Sequence, residues 1–147
     1  MGKHPHDVSL RQRIARPIVA ETEHVPPGKP LRLGRLELLE VRRLLGGCSS
    51  LGGRGSYIQL YGTEGKWGCY VVEVPGAGAL NPEKHLYEEI YFVVEGRGST
   101  EVWLEGEKKR HVFEWQKGSL FSIPVNSWHR IVNASSAPAL LLGGTTA

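Results

Sequence analysis

The stretch HLYEEIYFVVEGRGSTEVWLEG, His85 to Gly106, holds two runs of β-branched and aromatic residues, parted by Gly96-Arg97-Gly98 and closed by Gly106. Ile, Tyr, Phe, Val and Trp fit a pleated surface, and the glycines at the ends of the runs mark turns. The same rhythm extends outward in both directions. SYIQLYG (56–62) and WGCYVVEV (67–74) precede it, and RHVFEWQKG (110–118), SLFSIPV (119–125), WHRIVNAS (128–135) and PALLLGG (138–144) follow. Breakers fall about every eight to twelve residues, which predicts an all-β sandwich or barrel. Eight such runs suit a jelly roll, and the lack of a long helical period among them argues against βαβ architecture. Runs such as IYFVV (90–94) are apolar on both faces. One side is therefore expected to line a barrel while the other packs on a second sheet or another subunit.

The 147 residues suit one domain with an appendage. The net charge of +3 is unevenly spread: residues 1–50 hold nine Lys/Arg against five Asp/Glu, and residues 51–147 hold nine against ten. All twelve aromatic residues lie at Tyr57 or beyond. These shifts divide the chain into a basic N-terminal extension, 1–52, and a β domain, 53–147. Residues 1–30, punctuated by VPPGKP, read as an irregular arm. In LRLGRLELLEVRRLLGG (31–47), Leu38, Val41 and Leu45 share a face at helical spacing, predicting a short helix that ends at Gly46-Gly47, with an edge strand as the alternative. The arginines there have no aromatic neighbours, so they read as a solvated face and no nucleic-acid partner is expected. Contact of the arm with an acidic partner is the rival use of that charge. Neither an apolar run of membrane-spanning length nor an export signal core is visible, so the expectation is a cytoplasmic protein with no membrane partner. Cys48 and Cys69, with no CxxC spacing, read as reduced thiols.

Six histidines are candidates for chemistry. His4 and His6 lie in the arm without a strand pattern around them and read as a surface pair. His111 alternates with Phe113 and Trp115 and is assigned to packing or an edge. His85 and His129 have more specific surroundings. His85 is followed by three residues, Glu89, six residues and Gly96. Gly118 is followed by Pro124, Asn126, His129 and Asn133. These two segments resemble the paired motifs of the cupin superfamily, and the resemblance covers about residues 55–147. It implies a cupin-type double-stranded β-helix, a jelly-roll barrel, behind an irregular or partly helical N-terminal extension. The pattern is similar to one half of a two-barrel cupin. Three positions depart from it. Asn126 holds a slot usually occupied by glycine, the leading glycine of the first motif falls on Ala77, and Glu83 replaces the first histidine of the usual HxH pair. Asn and Gly both tolerate a left-handed turn, so the first exchange is physically mild.

The residues themselves point to metal chemistry. His85, Glu89 and His129 make a set of two histidines and one carboxylate, the ligand pattern of non-haem Fe(II) sites that leave positions open. Glu83 is either a fourth ligand, favouring Fe²⁺ or Mn²⁺ over copper, or a general base beside the metal. Ni²⁺ and Zn²⁺ are the alternative ions. Tyr87 is a second catalytic candidate, because Tyr87 and Tyr91 alternate with Glu89, with Tyr91 expected to serve the core. Glu88, Trp128 and Arg130 should face away from the site. The expected function is a metal-dependent enzyme of oxygenase type acting on a small organic acid or aromatic compound, with isomerase or decarboxylase chemistry as variants. The rival is a non-catalytic module that binds or senses a small molecule. A homodimer through an outer sheet face is expected, as cupin barrels commonly pair in that way.

Overall fold

The computed structural model describes residues 17–19, 42, 45–48, 51–59 and 66–146. Its strands are β1 (Pro17–Val19), β2 (Gly46–Cys48), β3 (Gly53–Gln59), β4 (Gly68–Val74), β5 (Glu83–Lys84), β6 (Glu89–Glu95), β7 (Arg97–Trp103), β8 (His111–Gln116), β9 (Leu120–Ile123), β10 (Trp128–Asn133) and β11 (Ala139–Thr145). Each of the eight runs read from the sequence forms a strand. One sheet has seven strands in the order β1-β3-β4-β11-β6-β9, with β2 also on β3, and the other runs β5-β10-β7-β8. The two sheets close a jelly-roll barrel. No helix among the described residues is long and apolar enough to cross a membrane.

The extension is the part that differs from expectation. Pro17–Val19, in the arm read as irregular, pairs in parallel with Tyr57–Gln59. Gly46 and Gly47, read as a helix terminus, instead pair antiparallel with Gly55 and Arg54, which matches the edge-strand alternative. The physical reason is the open edge of β3, whose backbone groups offer a ladder that local periodicity does not reveal. Leu38 and Val41, on the predicted helical face, lie outside the described residues, as do His4, His6 and His24.

Side-chain alternation sorts the sheets into faces. Tyr70, Val72 and Val74 of β4, Tyr91 and Val93 of β6, and Ala139 and Leu141 of β11 turn inward onto Trp115, Ile123 and Ile131. The residues between them turn outward, where Val71 and Leu140 pack with Ile58 and Leu45. Central strands β4 and β11 are thus buried on both sides, which explains their continuous apolar runs. Part of the outer cover comes from the extension itself, through Leu45. Glu73, also outward on β4, is buried and receives Arg42 Nε at 2.7 Å and Arg54 Nη1 at 3.1 Å, while Arg42 Nη1 reaches Glu95 at 2.7 Å. Arg42, assigned to a solvated face by sequence, therefore binds acids of the barrel.

The only described non-glycine residues with positive φ are Ala77, at 49°, and Asn126, at 63°. These are the two positions where the motifs call for glycine. Asn126 suits the left-handed region, whereas an alanine Cβ crowds the following carbonyl there. Ala77 is held by its N–H donating to Ser135 O at 2.7 Å. Replacing Ala77 with Gly is expected to raise unfolding stability by about 0.5–1 kcal/mol, while Asn126→Gly changes it by only a few tenths. Urea denaturation of both variants checks this, and a destabilised Ala77→Gly protein would contradict the strain argument.

Candidate metal centre

Three of the candidate residues converge at one end of the barrel through strand register. On β10, His129 sits directly opposite Glu83 of β5 on one side and Val102 of β7 on the other. Paired residues share a face, so Glu83 and His129 both point inward. Their neighbours Lys84 and Trp128 point outward, where Lys84 Nζ at 3.1 Å and Trp128 Nε1 at 2.7 Å donate to Glu105 Oε2. Arg130 likewise turns out to Glu101, at 3.0 Å. Glu89 enters from the other sheet as the first residue of β6, and its neighbour Glu88 is exposed. His85 lies in the loop between β5 and β6, whose backbone is pinned by Asn126 N–H donating to His85 O at 2.9 Å. The left-handed turn at Asn126 thus sets the position of a candidate ligand as well as the start of β10.

His85, Glu89 and His129 are all buried, and each offers a donor atom within 4.8 Å of the others. His85 Nε2 lies 2.8 Å from Glu89 Oε2, and His129 Nε2 lies 3.6 Å from both Glu89 Oε2 and Glu83 Oε1. Ligands at about 2.1 Å from an octahedral ion are separated by about 3.0 Å along each edge, so these spacings fit one shared cation. The decisive atom is on His129. Its ring is 1% exposed, and both nitrogens lack a hydrogen-bond partner among the described residues. A distance of 3.6 Å is too long for a hydrogen bond, yet a buried unpaired imidazole costs about 1–3 kcal/mol. A cation between Nε2 and the two carboxylates would remove that cost.

The candidate ligands have partners of their own. His85 Nδ1–H donates to the Tyr87 carbonyl at 3.0 Å, leaving Nε2 aimed at Glu89, and the Tyr87 ring stacks on His85 with centroids 3.9 Å apart. Tyr87 therefore supports the candidate ligand His85, and its face is committed to that ring. Tyr91, assigned to the core, is buried there, but its hydroxyl also lies 2.7 Å from Tyr70 Oη, to which it donates, while the Tyr70 O–H donates to Glu89 Oε1. Tyr70 was absent from the sequence reading. Its signal is the glycine pair of β11: Gly143 lies in register between Tyr70 and Tyr91, and a Cβ on it would come within 2.2 Å of the Tyr70 ring. Gly143 leaves the space that lets the tyrosine cross β11 to reach Glu89. His111 stands outside the ligand cluster, exposed on β8 and separated from His129 by Val102.

Burial, followed by the charge of Glu89, holds the Tyr70 and Tyr91 phenols well above the usual tyrosine range, so both remain donors. For His85, burial is the largest influence and disfavours the imidazolium, but the hydrogen bond and charge of Glu89, aided by Glu83, outweigh it. The net direction is up from 6.5. A metal must displace that proton, so its apparent affinity should fall as pH drops through the raised pKa and level off above it. Mn²⁺ titrations between about pH 5.5 and 8.5 should show close to a tenfold gain per unit at the acid end, then a plateau. A flat profile would mean that His85 is not a ligand.

A family model described as a cupin domain matches residues 70–143. Among solved structures, the oxalate decarboxylase of Lactobacillus farciminis in complex with formate is 20% identical with a TM-score of 0.59, covering 69% of this chain and 30% of that one. Bacillus subtilis oxalate decarboxylase, described with Mn(II) centres, is 16% identical with a TM-score of 0.57, covering 65% and 26%. Drosophila melanogaster CENP-C bound to CAL1 is 13% identical with a TM-score of 0.57, covering 67% and 76%. The chain thus spans about a third or less of the oxalate decarboxylases and most of the CENP-C chain. Likeness at such identities is one of fold. No curated protein matches the sequence.

Proposed function

The chain belongs to the cupin family, and on that premise we propose that it is a metal-dependent enzyme acting on a small organic acid or aromatic compound. Fe²⁺ or Mn²⁺ is the proposed cofactor, with His85, Glu89 and His129 as ligands and Glu83 as a fourth ligand or proton acceptor. The observation that carries this reading is the buried His129 ring, without a hydrogen-bond partner among the described residues and facing two carboxylates. A bound ion of this kind supplies Lewis acidity and a template that orients small oxygen-bearing ligands. Two histidines and one carboxylate leave open positions, the feature shared by non-haem oxygenases. Oxygenase chemistry is thus the leading assignment, with decarboxylation as the variant suggested by two of the structural neighbours. Around the ion, Tyr70 fixes the orientation of Glu89, the Tyr87 carbonyl fixes the tautomer of His85, and Glu83 stands beside His129 to hold or accept a proton.

The second reading is a module that binds without turnover. It is favoured by Glu83 in place of the motif's first histidine, and by the 2.8 Å hydrogen bond that already pairs His85 with Glu89. CENP-C, whose fold is similar, was solved bound to CAL1. Self-association is proposed on either reading. Leu120, Phe92, Leu142 and Val71 form one cross-strand row on the outer face of the seven-stranded sheet, and Leu120 and Phe92 are 67% and 39% exposed. Such a row is costly in water and suits a two-fold contact with a second copy.

After anaerobic loading, elemental analysis should find close to one equivalent of Fe or Mn per chain. His129→Ala should abolish tight binding, and Tyr70→Phe should weaken it by about tenfold, as for residues that orient a ligand. Metal below about a tenth of an equivalent in the parent would remove the enzyme reading. Oxygen uptake on a panel of small acids and phenols then separates oxygenase from decarboxylase, and silence of both oxygen uptake and CO₂ release favours the binding module. Light scattering should give a dimer that Phe92→Lys converts to monomer. A monomeric parent would end the self-association proposal.

A further inference from the structure

A cleft of about 380 Å³ opens at the same end of the barrel, where β7 and β9 finish and β8 begins. Val102, Leu104, His111, Phe113, Pro124 and Ser127 line most of it. Register places it beside the candidate metal centre, with Val102 between them. Glu83 pairs with His129, His129 with Val102, and Val102 with His111. These four side chains form one row on the inner face, each strand about 4.8 Å from the next. On the opposite sheet, Pro124 follows Ile123, the partner of Glu89. Leu104 stands at the rim 53% exposed, an apolar side chain with no part in the core clusters. The volume is within the range of small-molecule sites, and an apolar wall with a few polar groups at one end is their usual composition.

Charge narrows what fits. Alternation along β4 to β11 assigns the inward positions, and among the described residues none of them is a lysine or arginine. Lys84 and Arg130, on the strands nearest the centre, turn outward to Glu105 and Glu101. The mouth instead carries two buried carboxylates, Glu83 and Glu89. A compact dianion would bring two charges to a place with no inward cationic side chain to receive the second. It would also leave the apolar cleft without an occupant. We infer that the ligand is an amphipathic monoanion, with a single carboxylate or enolate head at the His85, Glu89 and His129 end and an aliphatic or aromatic body in the cleft beneath Leu104 and His111. The placement of the head rests on the metal-centre reading above; the placement of the body does not.

The test is calorimetric titration of the full chain, Mn²⁺-loaded and metal-free, with acetate, butanoate, hexanoate, octanoate and oxalate. Affinity should tighten about fourfold per methylene buried, and oxalate should bind the loaded protein more weakly than hexanoate. His111→Trp, which fills the rim at an exposed position, should flatten the length dependence without altering Mn²⁺ content. Leu104→Asp should weaken octanoate by about tenfold and leave acetate unchanged. No dependence on chain length, oxalate tighter than hexanoate, or a length dependence indifferent to both variants would overturn the inference. If Mn²⁺ does not bind, the metal reading fails separately, and the metal-free titration decides the cleft: length dependence sensitive to His111→Trp sustains it, and its absence rejects it.

Discussion

The convergence of side chains at the barrel mouth depends on the register of β10 between β5 and β7. Because the side-chain period of a strand is two, a slip by one residue would carry His129 to solvent and bring Trp128 into the barrel. Pairing of His129 with Glu83 and Val102 prevents that, and the outward contacts of Trp128 and Lys84 with Glu105 favour the same register from the other face. The turn at Asn126 sets both where the strand starts and where the His85 loop is tied. Burying two histidines and two carboxylates together is costly unless each finds a partner. The cluster meets most of that requirement within itself, and leaves His129 without a hydrogen-bond partner among the described residues.

The seven-stranded sheet serves a different purpose on each face. Its inner face supplies the core together with the tyrosines that orient Glu89. Its outer face is apolar over the central strands and is only partly covered by Leu45 and the arginines around Glu73. A glycine mediates between packing and chemistry. With any side chain at Gly143, Tyr70 could not lie across β11, and Glu89 would lose a donor.

Much of the architecture was legible in residue order. The eight runs became β3, β4 and β6 to β11 because β-branched and aromatic residues bounded by glycine have few other ways to bury their surface. The short β5 was not legible: two residues, Glu83 and Lys84, carry no pattern, and only the edge of β10 makes them a strand. The same is true of β1 and β2, recruited by the edge of β3. Arg42 read as solvated because its acids, Glu73 and Glu95, are distant in sequence. Tyr70 escaped notice for a similar reason. Its role exists only where three strands lie side by side, and one of them lacks a side chain at the crossing.

By itself, the sequence determined the strand rhythm, the inward and outward sets of β6 and β10, and the identity of the residues able to hold a cation, because alternation and residue chemistry act locally. Tertiary structure decided that His85, Glu89 and His129 meet with donor atoms within 4.8 Å, that His129 has no hydrogen-bond partner among the described residues, and that an apolar cleft opens beside it. Those are properties of distances between strands far apart along the chain. They are fixed by register and by the closure of two sheets, which no local pattern encodes.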